Sequence, residues 1–175
     1  MFNYYKQKHK VFISYYHADD QYYKNYIDTY LSNNIINKSV VAGEYDSDNS
    51  DEYIKRLIRE EKISDSSVVV VLVGKNTKKR KHVDWEIYAG LRKSINGCSA
   101  LIGILLPSVI AYGGYFPQDL PQRLGDNVDS GYASIYTWDY AIKNFDAIID
   151  KAFNEKASKN SKVRNGRIQM QYNLW

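Results

Sequence analysis

Residues 80–86, with the sequence Arg-Lys-His-Val-Asp-Trp-Glu, place a carboxylate beside a cluster of positive charge. They follow a run of β-forming residues at 68–73, and a helix is predicted over 85–95, with Trp85 and Glu86 in its first turn. A strand, a turn and a helix in this order are how α/β proteins present a reactive group at a ligand crevice. Glu86 is therefore a candidate catalyst. The alternative is a capping charge, because a glutamate in the first turn also suits the helix dipole.

The elements that must position Glu86 alternate along the chain. The hydrophobic pattern predicts strands at 11–15, at 68–73, at 100–106 and at 133–138, with a weaker one bracketed by 35–36 and 40–41. The pattern also predicts four helices: one capped by Asp19 or Asp20, one starting at Asn49 or Ser50, one over 85–95 and one around 142–153. Residues 108–127 are predicted to be an irregular stretch. Alternating strands and helices indicate an α/β fold, a flavodoxin-like doubly wound sheet of about five mainly parallel strands with helices on both faces.

Ligands of such sheets bind at the carboxyl ends of the strands. Three loops are expected to converge there, over residues 14–20, 43–50 and 75–86. The domain is predicted to span residues 10–156, between an N-terminal extension at 1–9 and a polar C-terminal tail at 157–175.

The amino-acid composition indicates a globular protein and does not favour a nucleic-acid partner. The chain has 175 residues, of which 44% are apolar and 25% charged, which is typical of one globular domain. Its 17 tyrosines favour many half-buried rings over a surface that stacks bases. The formal charge of +4 is mild, and the basic clusters at 75–81 and 156–167 lie in no nucleic-acid motif, so nucleic acid is not favoured as a partner.

The cysteine content and the length of the apolar runs indicate the cellular compartment of the protein. Cys98 is the only cysteine, which excludes an intrachain disulfide and favours a reducing compartment. We expect no signal peptide, because the first residues lack an apolar stretch. No apolar run approaches the roughly 20 residues of a membrane span, so a cytoplasmic protein without a membrane partner is predicted.

The sequence lacks the residue patterns of several other kinds of functional site. A phospho-receiver domain would need an aspartate after the third strand, where Gly74 and Lys75 stand. The acidic loop at 46–51 lacks the central glycine and closing glutamate of a calcium loop. No glycine-rich phosphate loop is present, and the three histidines have no metal-ligand spacing, so no metal is expected.

The strand at 11–15, together with residues 80–86 and the helix that follows them, resembles a TIR (Toll/interleukin-1 receptor) domain. The closer resemblance is to the prokaryotic TIR-like family that supplies the signal-making protein of Thoeris anti-phage systems. The resemblance spans residues 10–155, and its most specific part is the segment 80–86 with the helix that follows. The other matching residues are 11–15, 39–40, 43–46, 58–63, 66–68, Gly74, Thr77, Pro121, 123–124, 126–128 and 131–132.

The resemblance implies an NAD⁺ nucleosidase or ADP-ribosyl cyclase that breaks the bond between nicotinamide and ribose, with Glu86 as the catalytic residue. NAD⁺ is then the substrate, and no cofactor is needed. Nicotinamide leaves as a neutral group, and a carboxylate can stabilise the oxocarbenium character of the ribosyl centre. The expected product is an ADP-ribose-derived signal, with a cyclic form favoured, that a separate effector protein reads.

Substrate-binding roles are expected by the same resemblance for residues around Glu86. They are Ser14, Tyr15, His17, Asp46, Lys81, His82 and Trp85. Enzymatic TIR domains often carry a tryptophan one helical turn before the glutamate, where this chain has His82. Since neighbouring helix positions point about 100° apart, either Trp85 or His82 is expected to face the nicotinamide.

Two other functions stay open. A non-catalytic TIR scaffold would act through assembly with other TIR domains, and a nucleoside-ribosyl transferase would use the same sheet topology on another substrate. Self-association through TIR surfaces and activation by a phage-derived trigger are expected for the enzyme.

Overall fold

A parallel five-stranded sheet organises the chain in a computed structural model, which describes residues 7–39, 52–94, 97–110 and 117–175, without the side chains of 52–56 and 58. The strands are β1 (His9–Ser14), β2 (Ile35–Asn37), β3 (Val68–Val73), β4 (Ala100–Leu105) and β5 (Ser134–Thr137). Their order across the sheet is β2-β1-β3-β4-β5, and all neighbours are parallel. This is the flavodoxin-like doubly wound order, so the predicted fold class is confirmed.

Helices connect these strands within the described residues. They are α1 (His17–Tyr30), α2 (Glu52–Ser64), α3 (Lys81–Gly90), α4 (Pro107–Ile110), α5 (Gln122–Asp129) and α6 (Trp138–Glu155). None of these described helices combines the length and the apolar character that crossing a membrane requires.

The core lies on both faces of the sheet because β3 is central and all six of its residues are buried. One apolar cluster joins Val70 and Leu72 of β3 to Ile27 of α1 and Ile149 of α6. The cluster on the other face contains Val69, Val71 and Val73 of β3. It also contains Ile63 of α2, Val83 and Ile87 of α3 and Leu124 of α5. A continuous apolar strand is what a sheet covered on both faces requires.

Several predicted elements differ from the structure, and three of these differences lie near Glu86 or on the elements around it. Helix α1 has Tyr16 as its N-cap, so Asp19 and Asp20 lie in its first turn and do not cap it. Helix α3 begins at Lys81 and ends at Gly90, earlier at both ends than the predicted 85–95. The stretch predicted as irregular, 108–127, contains most of α5, which is stabilised by tertiary contacts of Leu124 and Arg123 that the local pattern does not reveal. The predicted starts of α2 at Asn49 or Ser50, and the 40–41 end of the second strand, lie outside the described residues.

The turn between β3 and α3 is fixed by a buried polar contact. The Thr77 hydroxyl oxygen accepts a hydrogen bond from the Gly74 N–H at 2.8 Å and lies 3.3 Å from the Asp20 carboxylate. A Cβ atom at Gly74 would lie 2.5 Å from an Asp20 oxygen, so only glycine lets α1 approach this turn. The contact therefore ties the start of α1 to the segment that delivers α3.

The C-terminal tail (residues 157–175) follows α6 and contains a 3₁₀ turn at Asn160–Lys162. It then passes beside α5 and runs along α3, from a hydrogen bond at Tyr88 to one at Lys79. The predicted polar extension thus lies against the helix that carries Glu86.

Helix α3 packs closely on the sheet because its last residue is glycine. A Cβ atom at Gly90 would lie 2.7 Å from Cγ2 of Val69 on β3, a β-branched side chain with little rotameric freedom. We expect Gly90→Ala to lower the free energy of unfolding by about 1–3 kcal/mol through overpacking. The measurement is urea denaturation followed by circular dichroism.

Gly125 in α5 is a matched control, because a Cβ there meets nothing within 4 Å. Gly125→Ala should leave stability unchanged or raise it by up to about 1 kcal/mol through helix propensity. Equal unfolding midpoints for the two variants would contradict the close packing of α3 on β3.

Candidate active site

Glu86 lies in the second turn of α3, as the sixth residue of a helix that begins at Lys81. The first-turn acid of this helix is Asp84. The helix-dipole interpretation of Glu86 is therefore wrong, because that effect fades beyond the first turn. Only 6% of Glu86 is exposed, so its carboxylate needs partners inside the protein.

Two elements supply the partners of Glu86. Ser14, at the carboxyl end of β1, donates a hydrogen bond from its hydroxyl to Oε2 at 2.5 Å. Arg59, on α2, places Nε 3.6 Å from Oε1. The parallel pairing of β1 with β3 makes this meeting possible, since it brings the ends of both strands to one edge of the sheet. Both oxygens of the carboxylate therefore have a neighbour of the right polarity.

The proton affinity of Glu86 reflects opposing influences. Burial raises the pKa of the carboxyl group above its ordinary value, because the charged form loses hydration. The Arg59 guanidinium, the hydrogen bond from Ser14 and the nearby His17 all lower that pKa. Ser14 and Arg59 therefore favour the ionised form that catalysis would need.

Burial favours the neutral forms of two histidines that lie near this carboxylate. Burial lowers the pKa of His82 to about 4, and burial together with His82 lowers the pKa of His17. The His82 ring donates from Nε2 to the carbonyl oxygen of Tyr15 at 3.2 Å, since a carbonyl can only accept. The two imidazole centroids are 6.3 Å apart. Neutral rings avoid mutual electrostatic repulsion.

Tyr15 contributes its backbone rather than its hydroxyl to this arrangement. Its ring is 3% exposed and lies 4.2 Å from the His17 ring, centroid to centroid. Its hydroxyl donates to Gln21 at 2.9 Å, and burial raises its pKa to about 12. The Tyr15 carbonyl instead holds His82 in place.

A small pocket opens beside Glu86 between α2 and α3. Its lining residues are Arg59, Glu60, Ile63, His82, Trp85 and Glu86. Helical spacing puts His82, Trp85 and Glu86 on one side of α3, because they are three and four residues apart. Trp85 and His82 therefore both line the pocket, and which of them faces the nicotinamide stays a prediction. The space holds about one water molecule, far less than a dinucleotide needs.

Trp85 and Lys81 have partners of their own. The indole Nε1–H of Trp85 donates to the carbonyl oxygen of Met170 in the tail at 2.8 Å. The Lys81 ammonium lies 5.0 Å from the centroid of the Trp85 ring, a cation–π distance. Lys81 thus lies over the pocket wall. Asp46 lies outside the described residues.

Two features of the site were missed by sequence reasoning. Arg59 falls within the segment 58–63 that carries the resemblance, but nothing in its spacing indicates a contact with Glu86. Arg123, which is 0% exposed, forms an ion pair with Asp84 of α3 at 2.9 Å across 39 residues of sequence. Such long-range pairs have no local signal. In the described part of the chain, no group of three or more His, Cys, Asp or Glu side chains could hold a metal ion.

The parallel sheet with a buried glutamate on the helix after β3 defines a TIR-like domain. Residues 12–110 match the sequence model of the family described as Thoeris protein ThsB, TIR-like domain, and this match covers more than half of the chain. The chain belongs to that family and thereby has a TIR-domain role in anti-phage defence. Among curated proteins, no match is found. Helices α5 and α6 and the tail lie beyond the matched residues.

The lowered pKa of His82 predicts a pH dependence of stability. Between about pH 6.5 and pH 4 the unfolded chain binds a proton at His82 that the folded protein does not, so stability falls as the pH falls. From pH 7 to pH 4 the wild type should lose up to about 3 kcal/mol more than His82→Gln, which keeps an N–H donor for Tyr15. Urea denaturation at several pH values measures this difference.

Asp20 has the opposite effect on stability as the pH falls. Burial raises the pKa of its carboxyl group to about 6, so protonation of Asp20 favours the folded state. That contribution is common to both proteins and cancels in the comparison. Parallel stability curves for the wild type and His82→Gln would contradict the prediction.

Proposed function

We propose that this protein is an NAD⁺-cleaving enzyme in which Glu86 stabilises the ribosyl centre as nicotinamide departs. The observation that carries the proposal is the buried Glu86 carboxylate, which Ser14 and Arg59 hold at the carboxyl edge of the sheet, the ligand edge of this fold. Family membership supports the same function. The substrate is NAD⁺, and no cofactor takes part.

The proposed reaction requires few catalytic groups besides Glu86. Nicotinamide leaves as a neutral molecule, so no strong general acid is needed, and the neutral histidines of the site are consistent with this. A negative charge in a water-poor pocket stabilises an adjacent oxocarbenium centre far better than it would in water. Ser14 limits the rotation of the carboxylate and keeps one oxygen in place.

The product is an ADP-ribose-derived signal, of which the cyclic form is favoured, and a separate effector protein reads it. A phage-derived trigger activates the enzyme, with self-association through TIR surfaces. These steps follow from the family resemblance.

A second function is a non-catalytic scaffold that assembles with other TIR domains. One observation favours it: the pocket beside Glu86 has room for about one water molecule, and the carboxylate is already engaged by Ser14 and Arg59. A closed site is expected of a scaffold, and equally of an enzyme before activation.

Glu86→Gln separates the two functions. Glutamine keeps the shape and can still accept from Ser14, but it removes the charge that stabilises the ribosyl centre. We expect nicotinamide release from NAD⁺, measured by liquid chromatography with and without phage lysate, to fall by about 100- to 1,000-fold.

Glu61→Gln is the matched control, because it removes an exposed carboxylate from α2 and should retain full activity. Thermal melting by circular dichroism verifies that both variants fold. Full activity in Glu86→Gln would refute the catalytic role, and inactivity of the wild type under every trigger would favour the scaffold.

Ser14→Ala tests how the ionised carboxylate is maintained. Loss of the hydroxyl removes one influence that lowers the pKa of Glu86, while burial continues to raise it. The acid side of the profile of kcat/KM against pH should therefore move to higher pH, with a smaller change at alkaline pH. Superimposable profiles would mean that Ser14 does not favour the charged form.

A further inference from the structure

The tail binds α3 at the two residues that precede Glu86. Met170 donates from its N–H to Oδ2 of Asp84 at 2.9 Å, and its carbonyl oxygen accepts from Nε1 of Trp85 at 2.8 Å. One tail residue is therefore bound through both of its backbone groups by consecutive residues of α3. Trp85 is also a wall of the pocket that contains Glu86.

The tail also caps the start of α3. The N-cap residue Arg80 makes no side-chain capping bond, whereas the Lys81 N–H donates to Oδ1 of Asn173 at 2.9 Å. The Leu174 N–H donates to the Lys79 carbonyl oxygen at 2.8 Å. Since the first N–H groups of a helix lack partners within the helix, the tail completes the end of α3 that bears the site.

A second anchor holds the tail through α5. Arg123 donates to Asp84 and also to the carbonyl oxygens of Asn165 and Arg167, at 3.3 and 2.9 Å. Asn127 donates to the Arg164 carbonyl oxygen and accepts from the Arg164 N–H, at 2.7 and 2.9 Å. The buried pair of Asp84 and Arg123 thus links α3, α5 and the tail in one network.

The attachment of residues 163–175 is mainly polar, although Val163 packs against the apolar cluster on the α3 face of the sheet. Ile168, Tyr172 and Leu174 are 85%, 80% and 56% exposed, so these side chains contribute little burial. On release, these hydrogen bonds are exchanged for bonds to water, so each contributes far less than its gross strength, and those from the charged Arg123 contribute most. A segment held in this way can leave while the apolar core on both faces of the sheet stays intact.

We infer that residues 163–175 form a strap that holds Trp85 in the pocket wall, keeps Glu86 closed off and opens the site on release. Loss of Met170 removes one hydrogen bond from the Trp85 indole, and loss of Asn173 removes the cap from the Lys81 N–H. The inference rests on the proposed function in taking NAD⁺ as the ligand that release admits.

The test cuts the strap from a protein that has already folded. A protease recognition sequence replaces residues 158–162, the exposed turn before the strap, in the Glu86→Gln background so that NAD⁺ binds without turnover. The protein is cut, and gel filtration removes the released peptide. NAD⁺ binding is measured by calorimetry, and exchange of the α3 amides by hydrogen–deuterium mass spectrometry. The uncut protein is the control.

We expect cutting to tighten NAD⁺ binding at least tenfold and to speed amide exchange in α3. A synthetic peptide of residues 163–175 should reverse both changes, which also shows that the cut domain stayed native. An uncut Asn165→Ala, Asn173→Ala variant should shift both measurements in the same direction by less. If cutting unfolds the domain, as a loss of helical circular dichroism would show, the uncut double variant replaces the cut protein as the test of the strap.

Other outcomes separate the two proposals. Unchanged NAD⁺ affinity with unchanged exchange, or weaker binding after the cut, would overturn the strap. Tighter binding after the cut, without nicotinamide release when Glu86 is restored, would uphold the strap and contradict the proposed reaction. Faster exchange in α3 with no NAD⁺ binding in either form would uphold the restraint on α3 and contradict NAD⁺ as the ligand.

Discussion

The burial of one carboxylate constrains the carboxyl edge of the sheet in this protein. Glu86 is almost fully removed from water, and an ionised group there is tolerated only with hydrogen bonds and an opposite charge close by. Ser14 and Arg59 meet that need from two other elements, β1 and α2. The sheet order, the turn at Gly74 and the early start of α3 together bring these three side chains within reach of each other.

A second buried charge pair extends this constraint to the end of the chain. Asp84 neighbours the site residues on α3, and its partner Arg123 is fully buried on α5. Arg123 has more donors than one carboxylate can accept, and the others bond to the backbone carbonyls of Asn165 and Arg167 and to Oδ1 of Asn165. The position of the tail is therefore a consequence of satisfying one guanidinium, and the tail in turn contacts Trp85 and the start of α3.

Much of the fold was predictable because its signals are local. The apolar run at 68–73 is long, unbroken and β-branched, and it forms the central strand with all of its residues buried. The start of α3 was misplaced because the basic residues that begin it have no apolar face, and its cap, Asn173, lies 92 residues away in the sequence. Helix α5 was missed for a similar reason, since Pro121 and Gly125 suggest a loop while Leu124 and Arg123 find their partners elsewhere in the fold.

Local sequence patterns likewise predict some features of the candidate site, whereas others depend on the tertiary structure. The sequence by itself determined the family, the parallel sheet and Glu86 as the residue of interest, because strand and helix periodicity and the segment 80–86 are short-range features. Only the tertiary structure decided that Arg59 is the nearby cation, that Tyr15 acts through its carbonyl, that His82 and Trp85 share one pocket, and that the tail binds α3. These contacts join residues that are far apart in the chain. They form because buried polar groups must find partners wherever the fold places them, and no local pattern encodes that choice.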